Sequence, residues 1–179
     1  MQCSMMGAWG KATPSKKLVQ LRTLDFGGGP FADQTMLIVH HPTDTNNGPF
    51  AALSFPGFTG IVTGFSSKLA QSEKVDDVSG NGGRPKGSYD GQAVAMVIRD
   101  MVQLSSTKEE AIAIATQAQR TWSVWLGFGD DVSQKFVAML YDQVREAIVF
   151  FFSFFWFWFF GFGFWFLVFC FFSVVLVSP

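Results

Sequence analysis

A thiol, a guanidinium and a carboxylate open this sequence: Cys3, Arg22 and Asp25 lie in MQCSMMGAWGKATPSKKLVQLRTLDFGGG, the last two just before the glycine triplet Gly27–Gly29. A cysteine is a nucleophile once deprotonated, and a nearby permanent cation favours the thiolate. An arginine also offers fixed, charged donors to a carbonyl or carboxylate. Read alone, a cysteine this close to a start is an incidental thiol, and Arg22 with Asp25 is a surface ion pair at a strand end. Three residues apart on a regular strand, Arg22 and Asp25 point to opposite faces. A joint site therefore needs the strand to end or bulge near Leu24–Asp25.

Other chemistry-bearing residues are few. The histidines, His40 and His41, are adjacent. On a strand they face opposite ways, which disfavours a shared metal site or a Cys–His pair with Cys3, so neither a metal nor a cofactor is expected. Gly27–Gly29 lack the lysine of a nucleotide phosphate loop and the dinucleotide-binding spacing, and are read as a turn. The formal net charge of -1 provides no basic footprint for nucleic acid. The two cysteines, Cys3 and Cys170, stand at opposite ends and define no disulfide framework.

The elements that must position these residues follow from pattern. KLVQLR and TMLIVHH read as paired strands joined through FGGGPFADQ. Pro56-Gly57 breaks an apolar run into a hairpin, with strands near Phe50–Phe55 and Thr59–Thr63. Residues from about Asp76 to Gly91 form a Gly- and Asn-rich surface loop. Helical spacing from Asp90, its cap, places Val94, Val97, Ile98, Met101 and Leu104 on one face. A second helix starts at a capping box, Thr107 with Glu110, buries Ala111, Ile114, Ala115 and Ala118, and closes at Arg120. WSVWLGFG and KFVAMLYD follow as strands apolar on both faces, joined by a turn at Gly129-Asp130-Asp131 and interior to a covered sheet. The fold class is α+β, helices stacked on layered antiparallel sheets.

Residues 147–179 differ from the rest. They carry no charge and hold 14 of the 22 phenylalanines. One reading is a transmembrane helix, since residues 147–177 at helical rise reach about 46 Å against a hydrocarbon core of roughly 30 Å. The other is a translated T-rich or frame-shifted stretch with no selected structure. Both predict insertion or aggregation. A membrane location follows only from the first.

CSMMGAWGKATPSKKLVQLRTLDF, HHPT, SFPGFTGIVTGFS, SEKV and GSYDGQAVAMVIRDMVQLSSTKEEA, in this order, resemble the acyl-coenzyme A:6-aminopenicillanate acyltransferase family. These are cysteine N-terminal-nucleophile (Ntn) hydrolases, related to choloylglycine hydrolases and acid ceramidase. The resemblance covers about Gln2 to Gln143 and implies an αββα fold. It also implies self-cleavage of the Gln2–Cys3 bond, leaving Cys3 as nucleophile and new N-terminus. An α-amine with pKa of roughly 7.7–8.0 beside a thiol near 8.5 lets one residue supply nucleophile and general base. By the same resemblance Arg22 is the active-site arginine and Asp25 holds the α-amine; relatives carry an Asn-Glu pair where this chain has Ser66-Ser67, so the Ser66 hydroxyl or nearby backbone N–H groups supply the oxyanion donor. The implied substrate is a small acyl compound: an amide, a thioester or a lipid. The domains are then an incomplete Ntn-like unit over 1–145 and the apolar tail over 146–179, since a pro-segment, a leader and the later half of the double sheet are not seen. The rival from another class is an inactive, truncated binding protein anchored by the tail. Oligomeric state is not read.

Overall fold

A computed structural model describes residues 3–24, 32–43, 48–75, 90–142, 147–154 and 170–177. Two antiparallel strands, β1 (Ser4–Ala8) and β2 (Val19–Thr23), form a small sheet of their own. Six more, β3 (Met36–His40), β4 (Phe50–Ser54), β5 (Thr63–Ser66), β6 (Leu69–Val75), β7 (Val124–Asp130) and β8 (Phe136–Tyr141), run as an antiparallel meander. Ala147–Phe154 (β9) and Cys170–Val177 (β10) extend it beyond β8 to a sheet of eight. The two strands predicted to pair across FGGGPFADQ therefore part company. β2 pairs with β1 and β3 with β4, so the chain changes sheets between them.

Helices α1 (Val94–Leu104) and α2 (Lys108–Gln117) cover one face of the large sheet, and β1 and β2 cover the other over β6–β8. Among the described residues this is helix, sheet, sheet: three layers of the expected αββα, without the outer helical layer. Core formation follows from the pattern. β7 and β8 are buried almost throughout, as runs apolar on both faces must be when both faces are covered. From α1, Val97, Ile98, Met101 and Val102 enter the core, whereas Leu104 at the helix end stays exposed. Ala111 and Ala115 let α2 approach closely beside it. Each large apolar side chain fully buried here contributes about 1.5–3 kcal/mol before conformational entropy is subtracted.

The capping box forms. Thr107 Oγ1 accepts from the Glu110 amide at 3.3 Å, and Glu110 Oε2 accepts from the Ser106 amide, one residue short of the usual reciprocal partner. The other expected cap does not: α1 starts at Val94 behind Ala93, with no side-chain cap, and Asp90 lies outside its first turn. Arg120 likewise does not close α2, which ends at Gln117. It sits instead in a bridge to Gln92, 6.0 Å over the Tyr141 ring. The expected hairpin strand at 59–63 begins only at Thr63. The loop assigned to Asp76–Gly91 falls almost wholly outside the described residues.

The apolar tail requires a correction. Its described parts are strands, not a helix: β9 pairs with β8 (Val137 opposite Phe151) and β10 with β9 (Cys170 opposite Phe154). Phe and Val suit an extended backbone, and β8 offers them an edge. Among the described residues no helix is long and apolar enough to cross a membrane.

One face is left bare. Leu37 and Leu53 oppose each other on β3 and β4, with Val39, Ala51 and Phe65 in the next row, on the side that β1 and β2 cover only farther along the sheet. Leu37, Val39, Leu53 and Phe65 are all exposed. Such a contiguous apolar face favours association.

Candidate active site

Cys3 immediately precedes β1 and is buried, with 4% of its surface exposed. Alternation along β1 turns Cys3, Met5 and Gly7 toward the large sheet, while Ser4 and Met6 face out. In β2 the inward residues are Gln20 and Arg22. Met5 lies directly opposite Arg22, so Cys3, two positions earlier, is the diagonal neighbour of Arg22 across the strand pair. Arg22 Nη2 reaches Cys3 Sγ at 3.7 Å.

The guanidinium is held from four sides. Nη2 also meets Glu73 Oε2 at 3.1 Å, Nη1 donates to Thr63 Oγ1 at 2.7 Å, and Nε donates to the Glu73 carbonyl at 3.0 Å. The ladder between β5 and β6 stops at Thr63–Ser72, and Arg22 takes up the β6 carbonyl just beyond it. Burial pushes the Glu73 carboxyl above the ordinary carboxylate range, and the charge and hydrogen bond of Arg22 offset this only in part. Gln20 anchors the same strand, its amide donating to Ser72 Oγ and to the Gly127 carbonyl at 3.0 and 3.1 Å.

A cavity of about 490 Å³ opens beside the thiol. Leu24, Val62, Ile98 and Val124 contribute to its walls, and Phe58 and Trp122 line it while remaining substantially exposed. Cys3 and Glu73 are its chemically distinctive members. Turn chemistry fixes its rim: the Phe58 amide donates to the Phe55 carbonyl at 3.2 Å around Pro56-Gly57, and Gly57 has φ +80°. That is the type II turn, with proline and glycine where their backbones suit it. A thiol touched by a fixed cation, at the wall of an apolar chamber, is arranged for attack on the carbonyl of an apolar acyl group.

The architecture has a counterpart of known structure. The Caenorhabditis elegans N-acylethanolamine-hydrolyzing acid amidase (NAAA) ortholog superposes with a TM-score of 0.57 over 82% of this chain and 62% of its own, at 15% identity. The chain has an Ntn-hydrolase fold. This likeness supports the broad expectation from sequence without singling out the acyl-coenzyme A:6-aminopenicillanate acyltransferases. No family model matches the chain. Two Dictyostelium discoideum proteins are similar in sequence: dcd1B at 36% identity over 132 residues and dcd1A at 33% over 147. These matches take in 73% and 78% of this chain but 26% and 32% of the relatives, so the chain spans between a quarter and a third of their length.

Within the Ntn fold, Cys3 and Arg22 come together. Asp25 lies outside the described residues, although β2 does end at Thr23, as a joint site with Arg22 requires. Ser66 stands apart. It occupies the opposite end of β5 from Thr63, its hydroxyl accepts from the Lys68 and Leu69 amides at 3.2 and 3.1 Å, and it does not line the chamber. A hydroxyl closing the β5–β6 turn is spent on backbone. His40 stacks on Phe50 with ring centroids 4.6 Å apart, away from the thiol's contacts.

Sequence reasoning missed Glu73 and Thr63. The available signal was an acid inside a strand-like run, LAQSEKV, because a carboxylate buried there needs a cationic partner. Nothing local named Arg22 as that partner.

Proposed function

We propose that the chain carries the nucleophile end of a cysteine Ntn amidase acting on apolar acyl amides. The observation that carries this reading is the buried Cys3, 3.7 Å from a guanidinium itself fixed by Glu73 and Thr63, at the wall of a 490 Å³ apolar chamber. Cleavage of the Gln2–Cys3 bond frees the Cys3 α-amine, which takes the thiol proton. The thiolate attacks the substrate carbonyl carbon, the C–N bond breaks, and the amine departs with the proton returned by the α-ammonium. The thioester left on Sγ is resolved by water to a carboxylic acid, or by a second amine to a new amide. Arg22 reaches the sulfur at 3.7 Å and fixes its position, and Glu73 holds Arg22 in place. The acyl chain lies in the chamber against Leu24, Ile98 and Trp122. Hydrolysis of N-acylethanolamines, the activity for which the structural counterpart is named, agrees with an acyl amide as substrate.

Intact-mass measurement of the purified chain, with N-dodecanoyl amides as substrates, tests this. Expected are a species beginning at Cys3, a transient mass increase equal to one dodecanoyl group, and loss of both with Cys3→Ala. Turnover that survives Cys3→Ala defeats the reading.

A further inference from the structure

Cys3 borders two cavities. Glu73 and Lys74 leave β6 in opposite directions, as neighbours on a strand must, and each lines one of them. The second cavity, of about 370 Å³, lies on the β1 side of the large sheet and is lined besides Cys3 by Ser4, Met5, Lys74, Trp125, Phe136 and Ala138. Register explains its floor, since Lys74 is directly opposite Trp125 on β7, and Ala138 of β8 lies opposite Gly127 on the same face. Met5 forms the roof, its sulfur 3.9 Å from Ser72 Oγ.

Lys74 is half-buried, and among the described residues no carboxylate pairs with it; the ion pairs there are Arg22–Glu73, Lys108–Glu109 and Lys108–Asp130. A lysine that no described carboxylate pairs with, lining a cavity with an indole and partly shielded from water, attracts an anion more strongly than the same group at a free surface. The opposite cavity is apolar and holds a carboxylate, Glu73, that is already paired with Arg22. The thiol therefore separates an acyl-like chamber from one that carries an unspent positive charge.

We propose that the second cavity receives the amine portion of the substrate and that Lys74 selects an anionic group on it, a carboxylate or phosphate a few bonds beyond the scissile nitrogen. The inference rests on the amidase reading for its orientation. It also separates this chain from its structural counterpart, whose name specifies ethanolamides. The reaction is unchanged in balance: the amide C–N bond breaks, the anionic amine leaves protonated at nitrogen, and the acyl group stays on Sγ until water removes it.

Calorimetric titration of the Cys3→Ala chain tests the anion site without turnover. N-dodecanoylglycine and N-dodecanoyl-O-phosphoethanolamine should each bind at least about tenfold more tightly than N-dodecanoylethanolamine, the gain expected of one charge-assisted contact. The preference should fall to about threefold or less when Lys74→Gln is added and persist with Lys74→Arg. A preference for one anionic compound alone identifies its headgroup and still supports the site. Equal affinities for all three compounds, or a preference that survives Lys74→Gln in a chain with an unaltered melting curve, overturns the inference. Hydrolysis of N-dodecanoylethanolamine by the unsubstituted chain is a separate arm. Turnover there with no anion preference sinks Lys74 alone, whereas no acyl transfer to Cys3 from any of the three sinks the amidase reading.

Discussion

The Arg22 guanidinium and the Glu73 carboxylate meet at 3.1 Å with side chains only 4% and 9% exposed, and the nitrogen that pairs with Glu73 is also the one nearest Cys3 Sγ. Two charges removed from water in this way contribute little net stability, because desolvation consumes most of their attraction. The raised Glu73 pKa expresses the same balance. What the pair supplies is position: a guanidinium with all three nitrogens engaged cannot rotate away from the thiol.

Glu73→Gln should therefore leave stability at pH 7 unchanged or higher while slowing acyl transfer to Cys3. The sign follows from linkage. With its folded pKa above the ordinary 4.5, Glu73 binds more protons in the folded chain than in the unfolded one. Its contribution to stability is thus greatest below pH 4.5 and falls as pH rises through the window between 4.5 and the folded pKa. Urea denaturation from pH 4 to 8 should show this decline in the wild type, and the Gln variant should lack that component. A variant markedly less stable at pH 7 would contradict this balance.

Arg22→Lys keeps the charge but not the fork. One ammonium cannot serve Thr63, the Glu73 carbonyl, the Glu73 carboxylate and Cys3 together. Alkylation of Cys3 by iodoacetamide at pH 7 should slow by roughly tenfold, the loss of one charged contact. An unchanged rate, measured across pH 6–9, would remove Arg22 from thiol activation.

β1 lies close against the large sheet because two of its contacts need glycine. A Cβ at Gly7 would collide with the Phe136 side chain, and one at Gly127 would stand 2.6 Å from Met5 Sδ. Gly7→Ala should cost about 1–3 kcal/mol by overpacking, read from urea denaturation, and adding Phe136→Leu should recover part of it. Because Cys3 leads into β1, the same variant should also slow its alkylation.

Asp130 makes the fold lose stability in acid. Burial pushes its carboxyl up, but hydrogen bonds from the Ser133 amide and hydroxyl and from the Lys108 amide, with the Lys108 charge, outweigh it and hold the group below 3.8. This contribution is fully present above pH 3.8 and is lost as pH falls through the depressed folded value. Asp130→Asn should lower stability at pH 7 and flatten the remaining dependence below pH 4, measured by thermal melting. A variant that tracks the wild type down to pH 2 would exclude Asp130 as the titrating group.

The elements legible in the sequence are those whose cause is local. Thr107 and Glu110 are three residues apart, and their cap forms because one helical turn brings them together. β7 and β8 announce their burial because runs apolar at both parities suit only a sheet covered on both faces. Ser66 misleads for the converse reason: its hydroxyl is claimed by amides two and three residues away, and a motif match does not reveal that competition. Length and hydropathy make the tail read as a helix, yet its described parts pair with β8 and with each other, a choice that depends on an available sheet edge.

By itself the sequence determined that an early thiol is followed by an arginine on a strand, KLVQLR, and that a doubly covered sheet must form. Only the tertiary structure decided which acid holds that arginine. Arg22 and Glu73 are 51 residues apart and sit in different sheets. Their meeting depends on how β2 crosses β6 and on where the β5 ladder stops. Those are properties of packed layers, and no periodicity of 2 or 3.6 residues encodes them.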